Sequence, residues 1–481
     1  MSSRGKGPRL CVFVRALSAC VALAACSSCG ADHSSPAGTS ANAPDDAGVD
    51  ATGGAAHAAD SDGSSTAPRG PGGSPASDSD AGAGDAVSPA PDAALLASEG
   101  GKLSIVALGA GNDYECALAA DGRVLCWGLD ATAQLGLPST YTVCSMTCRP
   151  WADAVENLSD ARAIAVGYNH ACALRSDGTV VCWGDNAYGE LGVPSSQTQD
   201  AQCDSACSFA PRTIPGISGA TAVSSGTNFS CAIVGGGAVE CWGLPFDGTT
   251  AGSPTPVAMS GISGARAISA GDAHACAILS DGTVTCWGNN QFGQLGDGTR
   301  TSSSTPVAVG GLKGAQAISA GEEFTCAVLS DGTVRCWGSN SEGQLGDGAP
   351  LPPPRTDPVQ PFQTSPAVTI GLSNTRAVFA GDDYACALVG ASSLECWGQA
   401  NPIFVPNASP PFPDAGSQPY PDPNLTDVVT LAAGTTNACV LRATGAVHCF
   451  GDNSYGDMGN DYEGADLTGG PDIDVDFSQV P

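Results

Sequence analysis

Two short apolar runs flank a polar turn in residues 276–288, CAILSDGTVTCWG, and the pattern recurs seven times along the chain. Ser280-Asp281-Gly282 reads as a three-residue hairpin loop, a type I turn closed by a left-handed glycine. Pairing is then centred on Asp281, so Leu279 faces Thr283, Ile278 faces Val284 and Cys276 faces Cys286. Cysteines directly opposite on antiparallel strands lie within disulfide reach when the pair is not hydrogen-bonded. A two-residue loop would put Cys276 opposite Trp287, so loop length and cysteine spacing support each other. Glycine holds the left-handed position in six copies; Ser392 replaces it in the sixth in chain order.

The spacing predicts seven hairpin disulfides: Cys116 with Cys126, Cys172 with Cys182, Cys231 with Cys241, Cys276 with Cys286, Cys326 with Cys336, Cys386 with Cys396, and Cys439 with Cys449. A Trp-Gly pair follows six of them, and Phe450-Gly451 the seventh. Five residues before each first cysteine stands a glycine, and these glycines recur every 45 to 60 residues. Such a period means a solenoid or a propeller. Each unit reads as four strands, for example residues 306–309, 317–320, 325–329 and 333–337. The alanine-rich second strand suits the crowded neighbourhood of a propeller axis. The expected fold is all-β, a seven-bladed β-propeller with four-stranded blades.

The ends suggest how the ring closes. The first unit, from residue 103, lacks a preceding Pro-Val strand, and residues 472–477 alternate as a strand with no hairpin after it. The expectation is a first blade completed by the C-terminal strand, which removes exposed edges. Within that strand Ile473, Val475 and Phe477 point inward and the aspartates outward. Three connections are long: residues 137–153, 193–213 and 399–426. Long loops on a rigid scaffold concentrate binding residues, and loop aromatics are hot-spot types. Candidate contacts are Tyr141, Met146, Trp151, Phe209, Phe404, Phe412 and Tyr420.

Residues 1–25 read as an export signal, with Arg4, Lys6, Arg9 and Arg15 before an apolar run too short to span a bilayer. Leu23-Ala24-Ala25-Cys26 resembles a bacterial lipobox, which makes Cys26 the lipidated first residue of an outer-membrane or cell-surface protein. An ordinary secretory peptide, giving a soluble product, is the alternative. Residues 26–100 are Ala, Gly, Ser, Pro and Asp, a composition that cannot offset ordering entropy. They form an expected disordered tether, reaching roughly 45 Å root-mean-square. Residues 101–481 form the propeller domain.

The run Ile268-Ser269-Ala270-Gly271-Asp272-Ala273-His274-Ala275-Cys276-Ala277-Ile278, with Asp281-Gly282, Trp287-Gly288 and Gly293-Gln294-Leu295-Gly296, resembles the regulator of chromosome condensation repeat family. The resemblance covers all seven copies. It implies a seven-bladed propeller with a blade shared between the termini, here in a bacterial secreted or lipoprotein member. The family's namesake is a guanine-nucleotide exchange factor that binds chromatin, and bacterial secreted members include a β-lactamase inhibitor protein. No insertion here matches the exchange-factor site residue by residue, so exchange-factor-like regulation rests on resemblance alone.

Cysteine and charge narrow the setting. Twenty-two cysteines behind an export signal imply an oxidising compartment. Two further pairs, Cys144 with Cys148 and Cys203 with Cys207, leave Cys29 over. The same four loop cysteines have a spacing that also suits zinc; export favours disulfides. The net charge of −30 leaves −24 on residues 101–481, which disfavours nucleic acid.

No cofactor motif, metal centre or catalytic signature is present. His170 and His274 occupy a slot that holds Tyr114, Phe229, Phe324, Tyr384 and Asn437 in the other copies, which marks packing rather than chemistry. The reading is a non-enzymatic, monomeric, lipid-anchored scaffold that binds a protein or peptide through its long loops. The alternatives are an envelope polysaccharide hydrolase with a carboxylate pair at the channel mouth, and a plain structural envelope component.

Overall fold

The computed structural model describes residues 103–137, 148–198, 200, 206–244, 253–350, 361–398, 416–421, 425–435, 437–451, 459, 473–475 and 477. These residues form seven four-stranded antiparallel sheets, the blades of a β-propeller. Blade four shows how the sequence builds one. Its inner strand, Ala265–Ala270, is followed outward by His274–Leu279, Val284–Gly288 and Ser303–Ala308. The hairpin has the expected register, with Ile278 opposite Val284 and Cys276 opposite Cys286. The two cysteine Cα atoms lie 4.0 Å apart, the close approach of a non-hydrogen-bonded pair. All seven hairpin disulfides are formed. Gly282 takes the left-handed turn position at φ 77°. Blade six, with Ser392 there, moves the left-handed residue to Gly390 at φ 62° and keeps a three-residue loop between Val389 and Ser393.

The apolar cores lie between blades. Cys276, Ile278 and Val284 of blade four pack with Ile318, Ala327 and Trp337 of blade five. Equivalent clusters fill the other six blade junctions. The tryptophans also tie blades together through hydrogen bonds. Trp183, Trp242, Trp337 and Trp397 donate their indole N–H to the carbonyls of Gln134, Glu190, Gln294 and Gln344 at 2.7–2.9 Å. Each carbonyl belongs to the turn that follows the third strand of the preceding blade.

The repeat has a different phase from the one the sequence suggested. The Pro-Val strand pairs with the hairpin before it: Val307 faces Cys286. Residues 306–309 therefore belong to blade four and residues 317–337 to blade five. The reason is room. A proline-containing strand needs an edge, and the inner edge of each blade is crowded around the axis.

The same shift corrects the closure. Blade one is complete from its own stretch of chain, Ile105–Ala110, Tyr114–Ala119, Val124–Leu129 and Cys148–Ala154. The C-terminal strand Ile473–Asp474 pairs with Val447–Gly451 of blade seven, so it completes the last blade and not the first. Side chains close the ring instead. Ile105, Leu108 and Trp127 share a core with Leu441, Val447 and Val475, and Phe477 meets Trp127 edge-on at 6.0 Å.

Candidate binding face and channel mouth

Strand direction sorts the connections onto two faces. On the upper face lie the links from inner to second strand and from third to outer strand. Backbone bonds hold the two kinds of link together: Asp185 N–H to Asn169 O, Asn289 N–H to Ala273 O and Ser339 N–H to Glu323 O, all at 2.8–2.9 Å. The lower face carries the hairpin turns and the blade-to-blade links, joined by bonds such as Ala161 N–H to Gly122 O at 3.0 Å. The three long connections predicted to bind all leave third strands, so all three start from the upper face.

The seven repeated glycines ring the channel there. A methyl group placed on Gly271 would run into the carbonyl of Gly321, and the same holds for Gly226 against Gly271 and Gly321 against Gly381. Gly434 stands against Gly111 across the closure. The slot three residues on locks this ring. Tyr114 Oη donates to Gly167 O and His170 O at 3.0 and 2.7 Å. His170 Nε2 is 2.8 Å from Ser230 Oγ, and His274 Nε2 is 2.8 Å from Thr325 Oγ1. Burial lowers His170 to about 4 and His274 to about 3, so both are neutral packing groups at physiological pH.

Above the glycines opens a cavity of about 170 Å³, whose rim includes Tyr168, Thr227, Asp272, Glu322, Asp382 and Thr435. A second space of about 150 Å³, lined by alanines, Ser224, Ser269, Ser319 and Phe379, lies along the inner strands. The rim is acidic on one side. Burial and then the neighbouring carboxylates raise Glu322 and Glu323 to about 7. Asp382 is raised to about 6 by burial and then by Asp383, against a hydrogen bond from Thr435. Burial also raises Asp383, which accepts from Gln344 Nε2 at 3.2 Å. No basic side chain is among the causes of these shifts. Thr227 donates its hydroxyl to Asp272. The arrangement suits a cationic group entering beside the exposed ring of Tyr168. Among the described residues, no three His, Cys, Asp or Glu side chains converge as a metal site.

The predicted contacts fare differently. Tyr141, Met146, Phe404 and Phe412 lie outside the described residues, as do Cys26, Cys29, Cys144, Cys203, the export signal and the tether. Phe209 is buried in strand Cys207–Thr213 against Ala133 and Cys207, because the strand begins earlier than the loop reading allowed; it is a packing residue. Trp151 is half-buried in strand Cys148–Ala154, with the Arg149 guanidinium 5.9 Å from its ring centroid. Tyr420 is 52% exposed on the outer strand of blade six. Cys148 and Cys207 are disulfide-bonded, so neither offers a thiolate to zinc. The rim acids were missed. The available signal was their position, one or two residues after the repeated glycine in three successive copies.

Comparison with known proteins fits this geometry. Models of the regulator of chromosome condensation (RCC1) repeat match residues 121–174, 177–233 and 281–328, and in a second form residues 161–190, 265–294, 315–344 and 428–457. The chain belongs to the RCC1 repeat family. Protein pim1 of Schizosaccharomyces pombe is 30% identical over 147 residues, 29% of this chain and 27% of pim1. The guanine nucleotide exchange factor SRM1 of Saccharomyces cerevisiae is 34% identical over 94 residues, 19% of this chain and 18% of SRM1. The human probable E3 ubiquitin-protein ligase HERC3 is 32% identical over 100 residues, 21% of this chain and 9% of HERC3. The matches thus span about a quarter or less of these relatives. Among solved structures, yeast RCC1 (Prp20) bound to Kap60 superposes with a TM-score of 0.62 at 21% identity, covering 72% of this chain and 82% of Prp20. Human WBSCR16 gives 0.58 at 20% identity, covering 70% and 90%. These likenesses establish the RCC1-type propeller fold.

Proposed function

We propose that this RCC1-repeat propeller is an exported, monomeric binding scaffold, lipid-anchored through Cys26, that captures a basic segment of a protein partner on its upper face. The observation that carries the reading is the sharing of one face by the acidic mouth and the starts of all three long connections. Seven cross-strand disulfides fit an oxidising compartment. The crystal form of Prp20 with Kap60 supports a protein as partner class for this fold, though that partner belongs to Prp20.

Size weighs against hydrolysis of a polymer. The mouth holds about 170 Å³, whereas small-molecule sites run to roughly 300–1,000 Å³. The test uses lysine-rich peptides and fluorescence anisotropy. Binding should weaken about tenfold or more in D272N/E322Q/D382N, and also at raised salt. The lower-face variant D281N/D331N should bind as wild type. Equal binding by both variants would remove the mouth from the reading; polymer turnover or nucleotide exchange by the wild-type protein would replace it. Mass analysis of the mature N-terminus checks the lipid on Cys26.

A further inference from the structure

We propose that the disulfide between Cys386 and Cys396 is a thiol-exchange site, open to small monothiols at Cys396 while the other six hairpin disulfides are closed. In those six pairs every cysteine is at most 4% exposed. In blade six Cys386 is 0% exposed, but Cys396 is half-buried.

The cause is the cover over the third strand. Outer strands of six or seven residues run along it in blades one to five, such as Ser303–Ala308 and Phe362–Val368. Among the described residues, the outer strand of blade six is Tyr420–Pro421 alone. Among the described residues blade seven likewise has a two-residue outer strand, Ile473–Asp474, yet Cys449 stays at 0% because Val475 continues into the same core. In blade six the residue opposite Cys396 is Tyr420, and its side chain is turned largely to solvent.

Access to a sulphur governs the rate of exchange. A thiolate RS⁻ attacks Cys396 Sγ and forms a mixed disulfide, Cys396–S–S–R. The bond to Cys386 breaks, and its electron pair goes to Cys386 Sγ, which takes a proton from solvent. One external sulphur is oxidised to the disulfide level as Cys386 is reduced to a thiol. A second thiolate then displaces Cys396 as a thiolate, which is protonated, and RSSR leaves. The clamp released is the one on the hairpin from which the connection beginning at residue 399 departs.

The experiment uses the full chain with 2-mercaptoethanol under native conditions, quenched at intervals with iodoacetamide and mapped by peptide mass. Modification at Cys386 and Cys396 should appear at least about tenfold faster than at any other hairpin pair. The lead should vanish in denaturant. The pairs holding Cys148 and Cys207 are scored apart from the seven. The double variant C386A/C396A should keep its native near-UV dichroism and show no fast-reacting hairpin pair. A different hairpin pair reacting first, or all seven reacting together as the folded signal is lost, overturns the proposal.

Discussion

On the lower face the turn aspartates are satisfied where they stand. Asp177, Asp281 and Asp331 each accept from the backbone N–H and the hydroxyl of the threonine two residues on, at 2.6–2.9 Å. Those bonds hold their carboxyls below the usual range. On the upper face Asp272, Glu322, Glu323, Asp382 and Asp383 come from blades four, five and six and converge on one rim. There the shifts run upward, from burial and from each other. The same repeat therefore uses an acid in two ways. An acid that finds its partners within two residues is a fold element, whereas the rim acids draw a few hydrogen bonds from Thr227, Thr435 and Gln344 and otherwise face one another.

The sharpest way to break the contrast is through glycine. Gly271→Val on the upper face should cost ~4 kcal/mol or more, or prevent folding, because the Gly321 carbonyl has nowhere to move. Gly261→Ala, on a lower-face link at φ 89° with open space around it, should cost only about 1 kcal/mol. Thermal melts of the two variants test this; equal losses would show that the ring is slack. Next is Glu190, 1% exposed in a turn position that holds Gln134, Gln294 and Gln344 elsewhere. Burial raises it to about 7, above its unfolded value of 4.5. Its contribution is thus fully present below pH 4.5 and lost as pH rises through 7. Glu190→Gln should stabilise the protein at pH 8 by about 1–3 kcal/mol and change little at pH 4. Denaturant titrations at the two pH values check it.

The rim follows the same sign more weakly, because its groups are half open to water. E322Q/D382N should raise Tm at pH 8, with the gain shrinking as pH falls through 7 and 6 and absent at pH 4. A gain that persists at pH 4 would place its origin in packing. The smallest effect belongs to Asp281→Asn. Its carboxyl is held low, so its contribution is present above pH 3.8 and lost as pH falls below that value. The variant should lower Tm slightly at pH 7 and not at pH 2.

The hairpins were legible because their determinants are local. Loop length, the left-handed glycine and two cysteines ten residues apart overdetermine one register. Blade phase was not legible. A repeat looks the same wherever it is cut, and only the pairing of Val307 with Cys286 shows which hairpin owns the Pro-Val strand. That one ambiguity produced the misplaced closing strand. The aromatic candidates show a second limit: Phe209 looked like a loop residue until the strand beginning at Cys207 covered it. The acids of the mouth were visible individually, but those of different blades lie 50 or more residues apart in sequence and meet only once blades four, five and six pack side by side around the axis.

Because every blade is made from one uninterrupted stretch of chain, the order of synthesis is also an order of assembly. Residues 265–308 hold all of blade four, including a disulfide that spans ten positions. Each blade can settle and oxidise as soon as its outer strand has emerged, without waiting for the far end, as contacts local in sequence allow. The closing junction, Ile105, Leu108 and Trp127 against Leu441, Val447, Val475 and Phe477, must wait for blade seven. A chain stalled after blade six would carry correct disulfides and sound blades, and still have no closed rim. Completion of the mouth therefore waits for blade seven, and possession of it marks a closed ring.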